Sequence, residues 1–359
     1  MPHPVIRRVL LAATALPTLA WATPVKVVPT ALLQYDWAQV EPDQQPSKSE
    51  DGVRRARLGV RISSADQRWL VVVDHDFSGR TTSDAFVEWT PSAGQSFRLG
   101  QFKQPFTLED AISDKQSAFP EPSPVGAFTI GRRIGVEYAR WGERGTLNVA
   151  AFGQQLNGSN DSPGASLRGT WRVAAEGGGS VHVGFSLATE WPRAERAAFA
   201  LNPGTVLVND KPVLTGTLGG VDRIDRMAVE GLWLWGSWSA QAEVAQVGVR
   251  RELGDVRGTA GGIQLTWSPT GDGRQYKRGV AAGPTPTGHV GWELALRLGM
   301  VDLDDGPVRG GHAQTWGLAA TCYPMRYVRV IANLQHTDSH RQGLGQQWLT
   351  AGLRVQFSY

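Results

Sequence analysis

Leu349-Thr-Ala-Gly-Leu-Arg-Val-Gln-Phe-Ser-Tyr359 decides the fold class, because its apolar and polar residues alternate without a break. Leu349, Ala351, Leu353, Val355, Phe357 and Tyr359 share one face; Thr350, Gly352, Arg354, Gln356 and Ser358 share the other. Side chains on an extended chain point to opposite faces with period two, so this is a strand with one apolar side. The aromatic Tyr359 stands on the apolar face, where a closing barrel strand would show it to the barrel assembly machinery.

Working upstream, the pattern recurs. Val290, Trp292, Leu294, Leu296, Leu298 and Met300 alternate with Gly291, Glu293, Ala295, Arg297 and Gly299. Trp316 to Cys322, Val328 to Gln335, Leu167 to Val173 and Val181 to Ala188 repeat it. No apolar run approaches the roughly 18 residues of a membrane helix, whereas barrel strands need only about 9–11 half-apolar residues. A secreted soluble β-sandwich also alternates. Tryptophans near strand ends (Trp69, Trp89, Trp141, Trp171, Trp191, Trp267, Trp292 and Trp348) favour a membrane barrel with an interfacial girdle. The expected fold is therefore all-β, a single transmembrane antiparallel β-barrel over residues 23–359.

The first residues read as a cleaved signal peptide, residues 1–22. Arg7 and Arg8 precede the short apolar stretch Val9 to Leu19, and Ala20-Trp21-Ala22 has small residues at the cleavage positions, placing the mature start at Thr23. That predicts export through the inner membrane and residence in a bacterial outer membrane.

The formal charge is +3, of which Arg7 and Arg8 supply two, so the mature chain carries only +1. Such a balance gives no global field for nucleic acid. Cys322 is the only cysteine, which excludes an internal disulfide and a cysteine-built metal site. No cofactor or metal site is expected. His182, His289, His312, His336 and His340 are scattered, and no Gly-x-Ser-x-Gly or His-Glu-x-x-His motif is present, so an enzyme is not expected.

Turn-rich segments separate the strands. Glu41–Asp51 reads as the first surface loop, and residues 192–222 and 271–289, rich in Pro and Gly, read as extracellular loops. Tyr323-Pro324-Met325-Arg326 reads as a short periplasmic turn.

Charge placement carries the functional reading. In Val53–Ile62 (VRRARLGVRI), Arg55, Arg57 and Arg61 share a face with Gly59, opposite Ala56, Leu58, Val60 and Ile62. An arginine facing lipid at the midplane costs roughly 2–4 kcal/mol, so these three point into the lumen. They sit roughly 6.5–7 Å apart along the strand, a column of weak sites for an anion. The competing reading pairs them with Glu88, Asp74 or Asp76. Arg54 has the opposite parity and is expected to reach toward the headgroups. Between Arg98 and Arg133, about thirty residues lack alternation but carry Phe102, Phe106, Phe119 and Phe128. Folded into the lumen, this loop would bring Lys103 and Lys115 to a constriction, with Glu109, Asp110 and Asp114 beside them; a surface loop at a subunit interface is the alternative.

These stretches resemble the phosphate-selective porin family of outer-membrane proteins. The resemblance rests on RRARLGV (Arg54–Val60), DHDF (Asp74–Phe77), DAFVEW (Asp84–Trp89), RLGQFKQPFTLED (Arg98–Asp110), GRRIGVEY (Gly131–Tyr138), GWELALR (Gly291–Arg297) and the closing GLRVQFSY, in order along nearly the whole mature chain. It implies sixteen strands, a homotrimer in outer-membrane lipid, an inward-folded third loop, and diffusion of phosphate, polyphosphate or other small anions. The basic positions carried over are Arg54, Arg55, Arg57, Lys103, Arg132 and Arg133. The chain departs from the family at Ser268–Tyr276, where a Leu-Thr-Gly-Glu-type segment usually precedes Arg-x-Tyr. The anion pathway expected overall comprises Arg55, Arg57, Arg61, Lys103, Lys115, Arg132 and Arg133; a general non-selective porin is the alternative.

Overall fold

The computed structural model describes residues 25–174 and 179–359. The expected signal segment, residues 1–22, and the mature start at Thr23 lie outside the described residues.

Sixteen strands form the wall: β1 (Lys26–Pro42), β2 (Lys48–Ser63), β3 (Trp69–Asp76), β4 (Thr81–Ser92), β5 (Gln95–Lys103), β6 (Arg132–Trp141), β7 (Gly145–Phe152) and β8 (Gly164–Ala174). They continue as β9 (Ser180–Glu190), β10 (Val221–Trp235), β11 (Trp238–Arg251), β12 (Val256–Trp267), β13 (Gly291–Asp305), β14 (Val308–Met325), β15 (Val328–Arg341) and β16 (Leu344–Ser358). Each pairs antiparallel with the next, and β16 closes on β1 from Leu32↔Ser358 to Pro42↔Trp348. Closure removes every sheet edge, so all backbone groups within the bilayer pair inside the protein.

The alternation read from the sequence is the wall's two faces. Leu294, Leu296, Leu298, Leu318, Leu353 and Val355 are exposed outward, while Glu293, Arg297, Gln335, Arg354 and Gln356 are buried inward. Aromatic residues gather on the outer wall at the end where β1 begins and β16 ends. Trp69, Trp89, Phe97 and Tyr138 stack in sequence along β3 to β6, and Trp238 stacks on Trp267. Two of the expected girdle tryptophans face inward instead. Trp348 packs on Val40 and Val208 and donates to Ser339 Oγ, and Trp141 lies beneath the Arg278 guanidinium inside the barrel.

Strand order fixes which end each connection occupies. Segments 104–131 and 191–220 follow odd-numbered strands and share one end, the extracellular one by their length. Segment 268–290 follows β12 and therefore lies at the opposite, periplasmic end with the short turns, including 326–327. The expectation that residues 271–289 form an extracellular loop is thus corrected: strand parity sets the side, and the length of a single connection does not. The first surface loop is also shorter than expected, since Glu41–Pro42 and Lys48–Asp51 belong to β1 and β2 and leave only residues 43–47 between them.

Candidate functional site

Three long connections enter the barrel. The first, residues 104–131, places Phe106, Phe119 and Phe128 at about 1% exposure or less. Its short helix, Leu108–Ala111, is capped by Thr107, whose side chain accepts from the Asp110 backbone N–H. The β11 carboxylate of Glu243 accepts from the backbone N–H groups of Leu108 and Glu109. These are the orphan donors that any helix start must satisfy. Farther on, Phe119 lies under the Arg297 guanidinium and against Gly317, where a Cβ would press on the ring at 3.1 Å. Residues 191–220 cover this loop from the extracellular side, with Phe199 edge-on to Phe128.

The loop's carbonyls are held by arginines from β13 to β16. Arg297 Nη1 donates to Glu121 O at 2.8 Å, Arg329 Nη1 to Ser117 O at 2.9 Å, and Arg354 Nη1 to Pro120 O at 2.6 Å. Arg354 also pairs with Asp36 at 2.6 Å and Glu121 at 3.1 Å while 1% exposed. These arginines stand at lumen parity in the sequence, so their direction was legible. Their partners were not, because they are backbone atoms of a loop some 170–240 residues away.

The periplasmic segment 268–290 rises to meet the loop. Gln275–Lys277 pairs with Val280–Ala282 around a two-residue turn in which Arg278 and Gly279 have φ of 48° and 81°. Both values lie in the left-handed region that tight hairpins use. Arg274 forms a buried bidentate pair with Glu293 (2.7 and 3.0 Å) and donates to Gln116 O of the loop. Arg168 donates to Gly279 O at 2.7 Å, and Tyr276 contacts His182 at 3.2 Å. Leu108 and Ile112 of the extracellular loop join Tyr276, Val280 and Ala281 in one apolar cluster with Leu232 and Leu234. Arg274 and Tyr276, the Arg-x-Tyr positions of the sequence, are therefore anchors of this inward hairpin.

Among the described residues, two cavities lie between these elements and the β1–β8 wall. The larger, about 530 Å³, lies on the periplasmic side and includes Arg57, Arg61, Asp74, Lys115, Lys277 and Arg278 in its lining. The smaller, about 330 Å³, includes Arg54, Arg55, Glu121, Asn202 and Arg354. Lys103, Asp110, Ile112, Asp114 and Arg132 line both.

The residues expected to form the anion path fall into three groups. Arg55, Arg57 and Lys103 surround one loop carboxylate, Asp114, at 3.5, 3.2 and 3.2 Å; Arg57 also meets Asp76 at 3.3 Å, and Arg132 pairs with Asp84 at 3.0 Å. Arg61 and Lys115 line the larger cavity with no Asp or Glu carboxylate within 4.0 Å among the described residues; the Lys115 ammonium donates to Ala31 O and to an oxygen of the C-terminal residue Tyr359, both at 3.3 Å. Arg133 lines neither cavity: it is buried, 3.8 Å from a Glu190 that Arg226 also engages at 2.6 Å. Arg54 does not reach toward headgroups. A β-bulge pairs Gln34 with Arg55 and Tyr35 with Val53, so Arg54 is the extra residue and turns inward to Glu121 at 3.0 Å. A bulge breaks parity, and parity was the basis of the contrary expectation.

A closed sixteen-stranded barrel with a polar, loop-filled interior and an outward apolar wall defines an outer-membrane porin. The family model described as "Phosphate-selective porin O and P" matches residues 30–359, and the chain belongs to that family. None of the curated protein sequences matches it. Its fold is similar to that of the anion-selective porin from Comamonas acidovorans (TM-score 0.60, 12% identity, 94% of this chain and 100% of that one). It is similar also to OprB of Pseudomonas putida at high pH (0.62, 11%, 93% and 94%) and to a loop-deletion form of OmpT of Vibrio cholerae (0.60, 14%, 93% and 99%).

Proposed function

We propose that this porin passes small anions, phosphate among them, by passive diffusion, with a preference set by the lining of its larger cavity. The observation that carries this reading is the composition of that lining: ten basic against six acidic side chains, in a chain whose overall charge is close to neutral. A narrow passage lined by one sign of charge concentrates ions of the other sign. Lys103, Asp110, Asp114 and Arg132 border both cavities, which supports reading residues 104–131, with the flanking strand ends, as the constriction loop. Arg55, Arg57, Arg61, Lys103, Lys115 and Arg132 supply the positive side of the route, while Arg133 supports the wall.

The family description names phosphate, and one structural neighbour is titled anion-selective; both agree with this charge pattern. The working unit we infer is a homotrimer, as in the trimer form of OmpT, delivered by a cleaved signal peptide and assembled through its outward-facing Tyr359. The zero-current potential of the purified barrel across a planar bilayer with a KCl gradient tests the reading. An anion-preferring channel reverses toward the chloride equilibrium potential; reversal toward potassium, or at zero, would refute it and leave a cation-selective or general porin.

A further inference from the structure

In the sequence the histidines look scattered, but strand pairing gathers two of them with a pair of carboxylates at the extracellular rim. Asp302 continues the outward phase of Leu296, Leu298 and Met300 on β13, and His312 is its partner across the ladder on β14. A β-bulge shifts the register at this point, with Asp304 pairing with Arg309. Gly311 carries the bulge at φ 89°, where a Cβ would stand 2.7 Å from His340 O. The result is a three-residue cluster on the outer surface, away from the lumen. Its donor atoms, from Asp302, Asp304 and His312, all lie within 4.8 Å of one another.

Each side chain in the cluster is oriented by a neighbour and keeps a donor atom available. Asp302 Oδ1 accepts from the Asp304 backbone N–H at 2.9 Å, and Asp304 Oδ1 accepts from that of Gly311 at 2.9 Å. One oxygen of each carboxylate is thus fixed, and the other is left for a ligand. The His312 ring stacks on His340 of β15, with centroids 5.4 Å apart and planes 20° apart. Asp304 Oδ2 lies 3.4 Å from His312 Nδ1, longer than the roughly 2.7–3.2 Å of a good N–H···O hydrogen bond. Zinc holds carboxylate oxygen and imidazole nitrogen at about 2.0–2.2 Å, which sets two tetrahedral donors roughly 3.3–3.6 Å apart. The observed spacing matches that edge. Neither Asp302 nor Asp304 has a lysine or arginine within 4.0 Å among the described residues. Two carboxylates gathered without a cation repel each other, and an ion between them removes that cost.

We infer that Asp302, Asp304 and His312 form a binding site for one divalent transition-metal ion of the zinc class, on the outer surface of the extracellular rim. The imidazole decides the class. Calcium and magnesium take oxygen donors, whereas a mixed nitrogen and oxygen set suits zinc, cobalt, nickel or copper. His340 acts as a positioning residue through the stacked ring of His312. The bound ion joins the ends of β13 and β14 and leaves its remaining coordination positions open to the exterior. The site lies outside the diffusion path, so it stands whether or not the pore prefers anions.

The test is calorimetric titration of Zn²⁺ into the full-length barrel, purified without a histidine tag and stripped of metal by a chelator. One ion is expected to bind per chain, and Asp304→Asn/His312→Gln should weaken that binding at least tenfold. Asn at 304 keeps the oxygen that accepts from Gly311, so the bulge is preserved. Asp302→Asn alone, on an exposed side chain, should weaken binding by a smaller factor. Asp272→Asn/His289→Gln removes the exposed carboxylate–histidine pair at the periplasmic end and should change it less than twofold. Co²⁺ in place of Zn²⁺ adds a readout of the donor set: the wild type should show visible ligand-field bands that Asp304→Asn/His312→Gln loses. Absence of saturable binding to the wild type, or unchanged affinity in Asp304→Asn/His312→Gln, would overturn the site. So would loss of the bound ion in Asp272→Asn/His289→Gln, which would move the metal to the other end of the barrel.

Discussion

Two groups of arginines line neighbouring arcs of the lumen wall, and in the sequence they look alike. Arg55, Arg57 and Arg61 on β2, and Arg297, Arg329 and Arg354 on β13, β15 and β16, all occupy the polar phase of an alternating strand. In the folded barrel they have different partners. The second group is buried and clamps the carbonyls of Glu121, Ser117 and Pro120. In the first group Arg57 and Arg61 border the larger cavity and Arg55 the smaller one, which Arg354 also lines; Arg55 and Arg57 stand opposite loop and wall carboxylates, and Arg61 is free of Asp and Glu partners among the described residues. Period two tells which side of the sheet a charge occupies; only the loop that fills the lumen decides whether that charge is structural or meets the permeating ion.

The comparison breaks most visibly at Arg354. Removing one member of a buried ion pair leaves the other charge uncompensated, at a cost of about 3–5 kcal/mol. Arg354→Met strands Asp36 and loses the hold on Pro120 O, so the purified barrel should unfold at clearly lower temperature or denaturant than wild type. Arg61→Met, on an exposed side chain without an ion pair, should leave the midpoint close to wild type. Equal midpoints for the two variants would remove the distinction between clamp and pathway.

The smallest effect concerns the periplasmic segment that carries the hairpin. His289 Nε2 lies 2.7 Å from Asp272 Oδ2, and this hydrogen bond, with the carboxylate charge, raises the imidazole pKa above its ordinary value. A raised folded pKa means the contact contributes fully below the unfolded value of about 6.5 and is lost as pH climbs through the folded one. The pair is exposed, so it adjusts the segment locally and leaves the barrel unaffected. An NMR titration should give His289 a pKa above that of an unperturbed histidine, and Asp272→Asn should bring it back; a titration indifferent to Asp272→Asn would dissolve the pair.

Much of this architecture was legible in the sequence. The strand at Leu349–Tyr359 alternates because one face meets lipid and the other the lumen, and the phenylalanines after Gly100 marked a loop that packs against the barrel interior. What escaped has physical reasons. The inward turn of Arg54 follows from one extra residue in β2, which no periodicity reveals. Trp141 and Trp348 share the composition of a girdle but sit on the inner phase of their strands. Segment 268–290 was assigned to the wrong end because its length resembles an extracellular loop, whereas the even number of strands before it places it with the periplasmic turns. The clamp role of Arg297, Arg329 and Arg354 depends on backbone carbonyls, which leave no mark in side-chain composition.

The division between the two arginine groups is tested most directly by single-channel recording in a KCl gradient, which reads pore size and charge preference together. Arg329→Met removes a hold on Ser117 O with no carboxylate left behind among its hydrogen-bond partners, so conductance should rise while reversal stays on the chloride side. Arg57→Met leaves Asp76 and Asp114 undercompensated, so reversal should move away from chloride while conductance stays near wild type. The opposite assignment, with selectivity lost in Arg329→Met and retained in Arg57→Met, would contradict the account.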